Sequence, residues 1–319
     1  MRVLAWVPSW KIPRHLALRG VDQPATTDHA HHSKFGIFAP MGDAANGKKL
    51  KDKLILLGLA VLIVAPFAIY WGISRQAPDV AGSGSDLSLL DSGDKLIVSQ
   101  GLSDDDLDEL ARFENLEELQ LHYSKITDAG MPKIAGCKTL KRLILMSVHV
   151  TDNGVAELAL LTGLEELVLI GTEGVSNDGL SFLPKLTKLT RFELQQCAGT
   201  DNGLAQILSD CPALTHVRLQ SIRGLTNAGA KTLANMSGLK WLVLDFCLHI
   251  NDDGAKHFGA LTGLEMLSLH GLDELTDASL PTFAKLKSLK KLELPLHAEF
   301  TDDALARLHT ELPDCEINR

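Results

Sequence analysis

The chain has 319 residues, 45% of them hydrophobic and 22% charged, with a formal net charge of −9. The charge is unevenly divided: residues 1–74 hold 9 basic and 4 acidic side chains, leaving 22 basic and 36 acidic for the rest. An acidic body of that size argues against nucleic acid as a partner, since such binding rests on neutralising phosphates. Five widely spaced cysteines argue against a small disulfide-stapled scaffold.

Residues 1–53 show no apolar periodicity and read as a basic, disordered tail. His29, His31 and His32 cluster there, and the tail reading is preferred to metal binding. Met41 opens an ordinary short basic segment, so residues 1–40 are expected to be an overextended start. Residues 54–74 follow as an expected transmembrane helix: from Leu54 to Ile73 there are twenty residues without a charge. A helix of that length spans about 30 Å, the hydrocarbon thickness. It is too long for the apolar part of a signal peptide. Tyr70 and Trp71 stand at its end, where an aromatic belt belongs. Lys48, Lys49, Lys51 and Lys53 precede it, and Asp79, Asp86, Asp91 and Asp94 follow. The positive-inside rule then places the N-terminus in the cytoplasm and the remainder across the membrane, in a single-pass topology. Residues 75–91, rich in Gly, Ser, Ala and Asp, read as a flexible stalk.

From residue 92 the chain repeats itself. Eight copies begin at Leu116, Leu140, Leu164, Leu189, Leu214, Leu239, Leu264 and Leu289, at a spacing of 24 or 25 residues. A fixed period of this size marks a solenoid, whose units bury their apolar faces only against neighbours. Each copy opens with L-x-x-L-x-L, as in Leu116/Leu119/Leu121. The last two apolar residues share one face of a short strand. One strand per copy, always in the same direction, gives a parallel sheet.

A second phrase, T-D-x-G followed by apolar residues three apart, comes later in each copy. It reads as Thr127-Asp128, Thr151-Asp152, Ser176-Asn177, Thr200-Asp201, Thr226-Asn227, Asn251-Asp252, Thr276-Asp277 and Thr301-Asp302. The first residue suits a helix N-cap and the acid suits the helix dipole. Pro132, Pro184 and Pro281 fall in these segments and would remove interior helix bonds, so short, partly 3₁₀ helices are expected. Ser103-Asp104 with Leu107 and Leu110 forms an N-terminal cap after a poor strand at Lys95, Leu96 and Ile97. Residues 312–317 close the array as a half-strand.

These residues resemble the leucine-rich repeat family. The helix phrase and period look most like its ribonuclease-inhibitor-like and cysteine-containing branch, the type found in F-box proteins. That branch carries Cys three residues after the last strand Leu. Cys197 and Cys247 stand there, while Ser124, Val148, Thr172, Ile222, Leu272 and His297 depart from the pattern. The resemblance covers residues 92–319. It implies an α/β arc or horseshoe with parallel strands on the concave face and short helices on the convex face. It also implies protein or ligand binding without a shared catalytic site. No F-box segment precedes the repeats, so an intracellular substrate-recognition adaptor is expected only if the topology is inverted.

Specificity is expected between the ladder leucines, on the concave face. Ile144, Met146, Val168 and Ile170 form one apolar patch there, and Trp241 with Met266 another. With Arg191, Arg218 and His270, the residues Ile144, Met146, Ile170, Trp241 and Met266 make the predicted partner-binding set. Cys197 and Cys247, two repeats apart at about 10 Å, are expected to be buried thiols. No hydrolase, nucleotide-binding or metal motif is present, so no enzymatic activity, cofactor or metal is expected. The expected function is a membrane-anchored module that recognises a protein partner. A structural cell-envelope protein without a specific soluble partner is the alternative.

Overall fold

The computed structural model describes residues 94–98, 101–197 and 199–319. The predicted tail (1–53), membrane helix (54–74) and stalk (75–91) lie outside these residues. Among the described residues no helix is long and apolar enough to cross a membrane.

The described part is an α/β array built on a ten-stranded parallel sheet whose strands follow chain order from β1 to β10. The strands are β1 Lys95–Val98, β2 Glu118–His122, β3 Arg142–Met146, β4 Glu166–Ile170, β5 Arg191–Gln195, β6 His216–Gln220, β7 Trp241–Val243, β8 Met266–Ser268, β9 Lys291–Glu293 and β10 Glu316–Asn318. The poor first strand and the closing half-strand both form and pair with their neighbours. Register advances one repeat per strand without a slip, so Leu119, Leu143, Leu167, Phe192, Val217, Leu242, Leu267 and Leu292 form one continuous row. Every residue in that row is buried. Each such side chain contributes about 1.5–3 kcal/mol of burial, and a one-residue slip would turn the whole row to the opposite face.

Between successive strands the chain forms α1 Met131–Gly136, α2 Asp152–Ala156, α3 Asn177–Leu180, α4 Asn202–Ser209, α5 Asn227–Leu233, α6 Asp252–Ala255, α7 Leu280–Phe283 and α8 Asp302–Glu311, with 3₁₀ turns beside several of them. The three prolines do not interrupt helix interiors. Pro132, Pro184 and Pro281 each sit in the first turn of a helix or 3₁₀ segment, where a missing N–H leaves no bond broken. The apolar pairs of these helices, such as Met131 with Ile134 and Val155 with Leu158, pack on the Leu rows in one core.

Two side ladders fix the spacing of the repeats. One runs along the strand exits. Tyr123, Ser147, Gly171, Gln196, Ser221, Phe246 and Gly271 all have positive φ, between 49° and 73°. From Tyr123 to Phe246 their N–H groups extend the sheet by donating to the last residue of the next strand row, as in Tyr123 N to Met146 O at 2.8 Å. Only Gly takes this conformation without strain.

The other ladder explains the T-D-x-G phrase. The acid does more than face a helix dipole: it bonds the cap of the following repeat. Asp128 accepts from Thr151 N at 2.7 Å and Thr151 Oγ1 at 2.5 Å. Asp152 binds Ser176, Asp252 binds Thr276 and Asp277 binds Thr301 in the same two-pronged way. Asn202 and Asn227 take the same place before Thr226 and Asn251. The glycine makes room for this side chain. A Cβ at Gly154 would strike Asp128, and one at Gly254 would stand 2.5 Å from Asn227 Oδ1.

One repeat departs from the expected register. The cap is Asp201 and not Thr200: Asp201 accepts from Gly203 N, and α4 starts at Asn202. From Thr127 to Thr276 the other caps lie thirteen residues before the next strand-opening Leu, and Asp201 keeps that distance to Leu214. Thr200 therefore enters the buried position held elsewhere by Ile126, Val150, Val175, Leu225, Ile250 and Leu275. Its hydroxyl donates to Cys197 O at 3.1 Å.

Candidate protein-binding face

The strand residues between the ladder leucines point away from the helices and form three rows across the sheet. In the first row, Lys95, Glu118, Arg142, Glu166 and Arg191 alternate in sign. They form a chain of ion pairs: Lys95–Glu118 at 3.0 Å, Arg142–Glu118 at 3.4 Å, Arg142–Glu166 at 3.2 Å and Arg191–Glu166 at 4.0 Å. Pairs of this kind are worth about 0–1 kcal/mol each. Their main effect is to fix long side chains beside the middle row.

After Arg191 the first row changes character, to His216, Trp241, Met266 and Lys291. Trp241 is 41% exposed, and the His216 ring lies 5.7 Å from its centroid, tilted by 41°. Thr215 Oγ1 contacts His216 Nδ1 at 2.8 Å, which fixes the imidazole. Burial, with Arg191 nearby, lowers the His216 pKa below its usual 6.5. The ring therefore meets Trp241 neutral at pH 7.

The predicted partner-binding residues divide by accessibility. Ile144 is fully buried, and Met146, Ile170 and Met266 are buried as well, as is Val168 in the same patch. The expected open apolar patch around Ile144 is therefore closed to solvent in this structure. Its residues lie among neighbours on both flanking strands, with the ion-pair chain along one side. Arg191 is exposed, Trp241 is exposed, and Arg218 and His270 are half-buried. Arg218 stands beside half-buried Glu193, whose pKa burial raises despite Arg218 and the hydrogen bond from Gln195.

The repeat period also assembles a polar cluster that motif reading missed. Asp245 and His270 are one repeat apart, as are Ser268 and Glu293. Buried Asp245 accepts from Ser268 Oγ at 2.6 Å and from His270 N at 3.2 Å. His270 Nδ1 lies 3.6 Å from Asp245 Oδ1, 3.8 Å from Glu293 Oε2 and 3.2 Å from Ser268 Oγ. Aligning the copies by their Leu ladders, and then reading down each column, would have found this group.

Ser, His and Asp together raise the question of nucleophilic catalysis. The geometry does not support it: Ser268 is fully buried and donates to Asp245, and both approach the same imidazole nitrogen. A serine nucleophile needs the base on one ring nitrogen and the orienting carboxylate on the other. Among the described residues no group of three or more His, Cys, Asp or Glu side chains could hold a metal ion.

Cys197 and Cys247 are buried free thiols. Burial pushes Cys211 and Cys247 up to about 12, so both are protonated at neutral pH. No protein-family model matches the chain. The comparison with curated proteins finds no match either.

Proposed function

We propose that the chain is a membrane-anchored leucine-rich repeat protein, arc-shaped, that recognises a protein partner on the concave sheet face and carries out no chemistry. The observation behind this reading is Trp241: a large aromatic side chain, 41% exposed, on a sheet whose other apolar side chains are almost all covered. Tryptophan and arginine carry a disproportionate share of binding energy at protein interfaces. Arg191 and Arg218 stand on the two strands that precede Trp241's own. A sheet of ten strands extends about 45 Å at strand spacing, a scale suited to a protein and poorly suited to enclosing a small substrate. The anchor comes from residues 54–74, with the repeats placed outside the cytoplasm.

Affinity capture with the full chain tests this, using Trp241→Ala and Arg191→Ala beside the wild type. A stoichiometric partner lost in both variants, with the melting temperature unchanged, supports recognition. Self-assembly of the purified chain without any partner would favour an envelope scaffold instead. Met146→Asp is the poorer probe, because Met146 is buried and the variant would also lose stability.

A further inference from the structure

We propose that His270 is a proton-operated clamp that ties β7, β8 and β9 together on the same sheet face that carries Trp241 and Met266, and so regulates the binding face described above. The clamp itself rests on the geometry of four side chains; only its consequence for binding rests on the proposed function.

The groups facing the imidazole come from three strand rows. Asp245, just past β7, lies 3.6 Å from Nδ1. Ser268, the last residue of β8 and two residues before His270, lies 3.2 Å from the same nitrogen. Glu293, on β9, lies 3.8 Å away. Lys291, also on β9, is the cation that acts on the ring among the described residues, and it binds Glu293 at 2.6 Å. A protonated imidazole thus stands between two carboxylates from different repeats. A neutral one carries no charge to face them, and Asp245 keeps the Ser268 hydroxyl and the His270 backbone N–H as donors. Removing the proton ends the attraction of the ring to both carboxylates, which loosens the contact between repeats.

The backbone carries the change outward. His270 O accepts from Phe246 N at 2.7 Å, and Glu293 O accepts from Leu269 N at 2.9 Å. Phe246 belongs to the strand-exit row with positive φ, so its amide reports on strain at the join. The hydrogen bond to Asp245 raises the His270 pKa above its usual 6.5; burial opposes this, the Asp245 and Glu293 charges add to it, and Lys291 counteracts. A group whose pKa is higher folded than unfolded contributes its full stability below the unfolded value. That stability is lost as pH rises through the folded value. The clamp is therefore closed in mild acid and opens above pH 6.5.

The test is an NMR titration of the His270 ring in the full chain, combined with hydrogen-exchange protection factors for Phe246 and Leu269. The expected midpoint lies above 6.5, falls in Asp245→Asn and falls less in Glu293→Gln. Protection of both amides should drop severalfold as pH crosses that midpoint in the wild type, and stay level in His270→Gln. A midpoint at or below 6.5, a midpoint unmoved in both carboxylate variants, or protection with no step there would overturn the clamp. Neither readout needs a partner, so the clamp and the binding role stand or fall separately.

Discussion

Asn177 donates from Nδ2 to Oδ1 of Asp201 at 2.6 Å. Asp201 is the one carboxylate among the eight caps from Thr127 to Thr301, and the ladder residue before it is an amide rather than an acid. Asp in that place would set two carboxylates against each other. At Thr151, Ser176, Thr276 and Thr301 the cap offers a hydroxyl and the ladder residue is Asp, while before Thr226 the Asn202 carbonyl oxygen accepts the hydroxyl instead. Donor and acceptor are thus matched across repeats 24 or 25 residues apart.

Asn177→Asp should therefore destabilise the array by about 1–2 kcal/mol, from a lost hydrogen bond and a like-charge contact. Adding Asp201→Thr should recover most of that loss, since Thr offers the hydroxyl that Asp requires. Urea denaturation of the two single variants and the double variant measures the coupling. Additive effects would mean that the pair is not matched.

Gly154→Ala tests the space reserved for the ladder. Alanine normally favours a helix over glycine by about 0.5–1 kcal/mol. At Gly154 the new Cβ would meet Asp128 and stand 3.0 Å from Met131 Cγ. A net loss of about 1–3 kcal/mol is expected. Gly136→Ala, whose Cβ would have nothing within 4 Å, is the control and should be neutral or slightly stabilising.

Thr200→Val restores an apolar side chain where the neighbouring repeats have Ile, Val or Leu. The substitution gives up one hydrogen bond to Cys197 O and removes a buried hydroxyl. The two effects nearly cancel, so a change within about 1 kcal/mol is expected. A loss beyond about 2 kcal/mol in thermal denaturation would show that Thr200 is a cap after all.

Asp277 should contribute to acid stability. Its carboxylate accepts from Thr301 Oγ1 at 2.7 Å and Thr301 N at 2.9 Å. These bonds, with Arg307 nearby, hold its pKa below the usual 3.8. The unfolded chain binds the proton more readily, so this contribution is complete above pH 3.8 and is lost as pH falls through the folded value. Denaturation midpoints measured from pH 5 down to pH 2 should fall less steeply in Asp277→Asn than in the wild type.

The strands were legible from the sequence because Leu119, Leu143 and their equivalents recur at a fixed offset with alternating neighbours. The helix starts were legible as caps, but the reach of Asp128 into the next repeat was not. A sequence shows the residue type at a position and leaves open whether it serves its own helix or the one beside it. The string Thr200-Asp201-Asn202-Gly203 copies the consensus phrase one residue early, and only the fixed distance to Leu214 shows that Asp201 is the cap. On the sheet face, the positions of Ile144 and Trp241 were readable and their accessibility was not. Both face away from the helices; Ile144 is enclosed by its surroundings and Trp241 is open. The Asp245–His270 contact joins residues 25 apart that carry no local motif.

The central claim is that the face around Trp241 takes a protein partner. A photo-crosslinking residue placed at 241 in the full chain, and separately at Leu160, tests it most directly. Leu160 is 55% exposed and lies in a helical segment, away from the strands. The account predicts a discrete crosslinked adduct from position 241 and none from position 160. Equal crosslinking at both positions, or adducts from Leu160 alone, would contradict it.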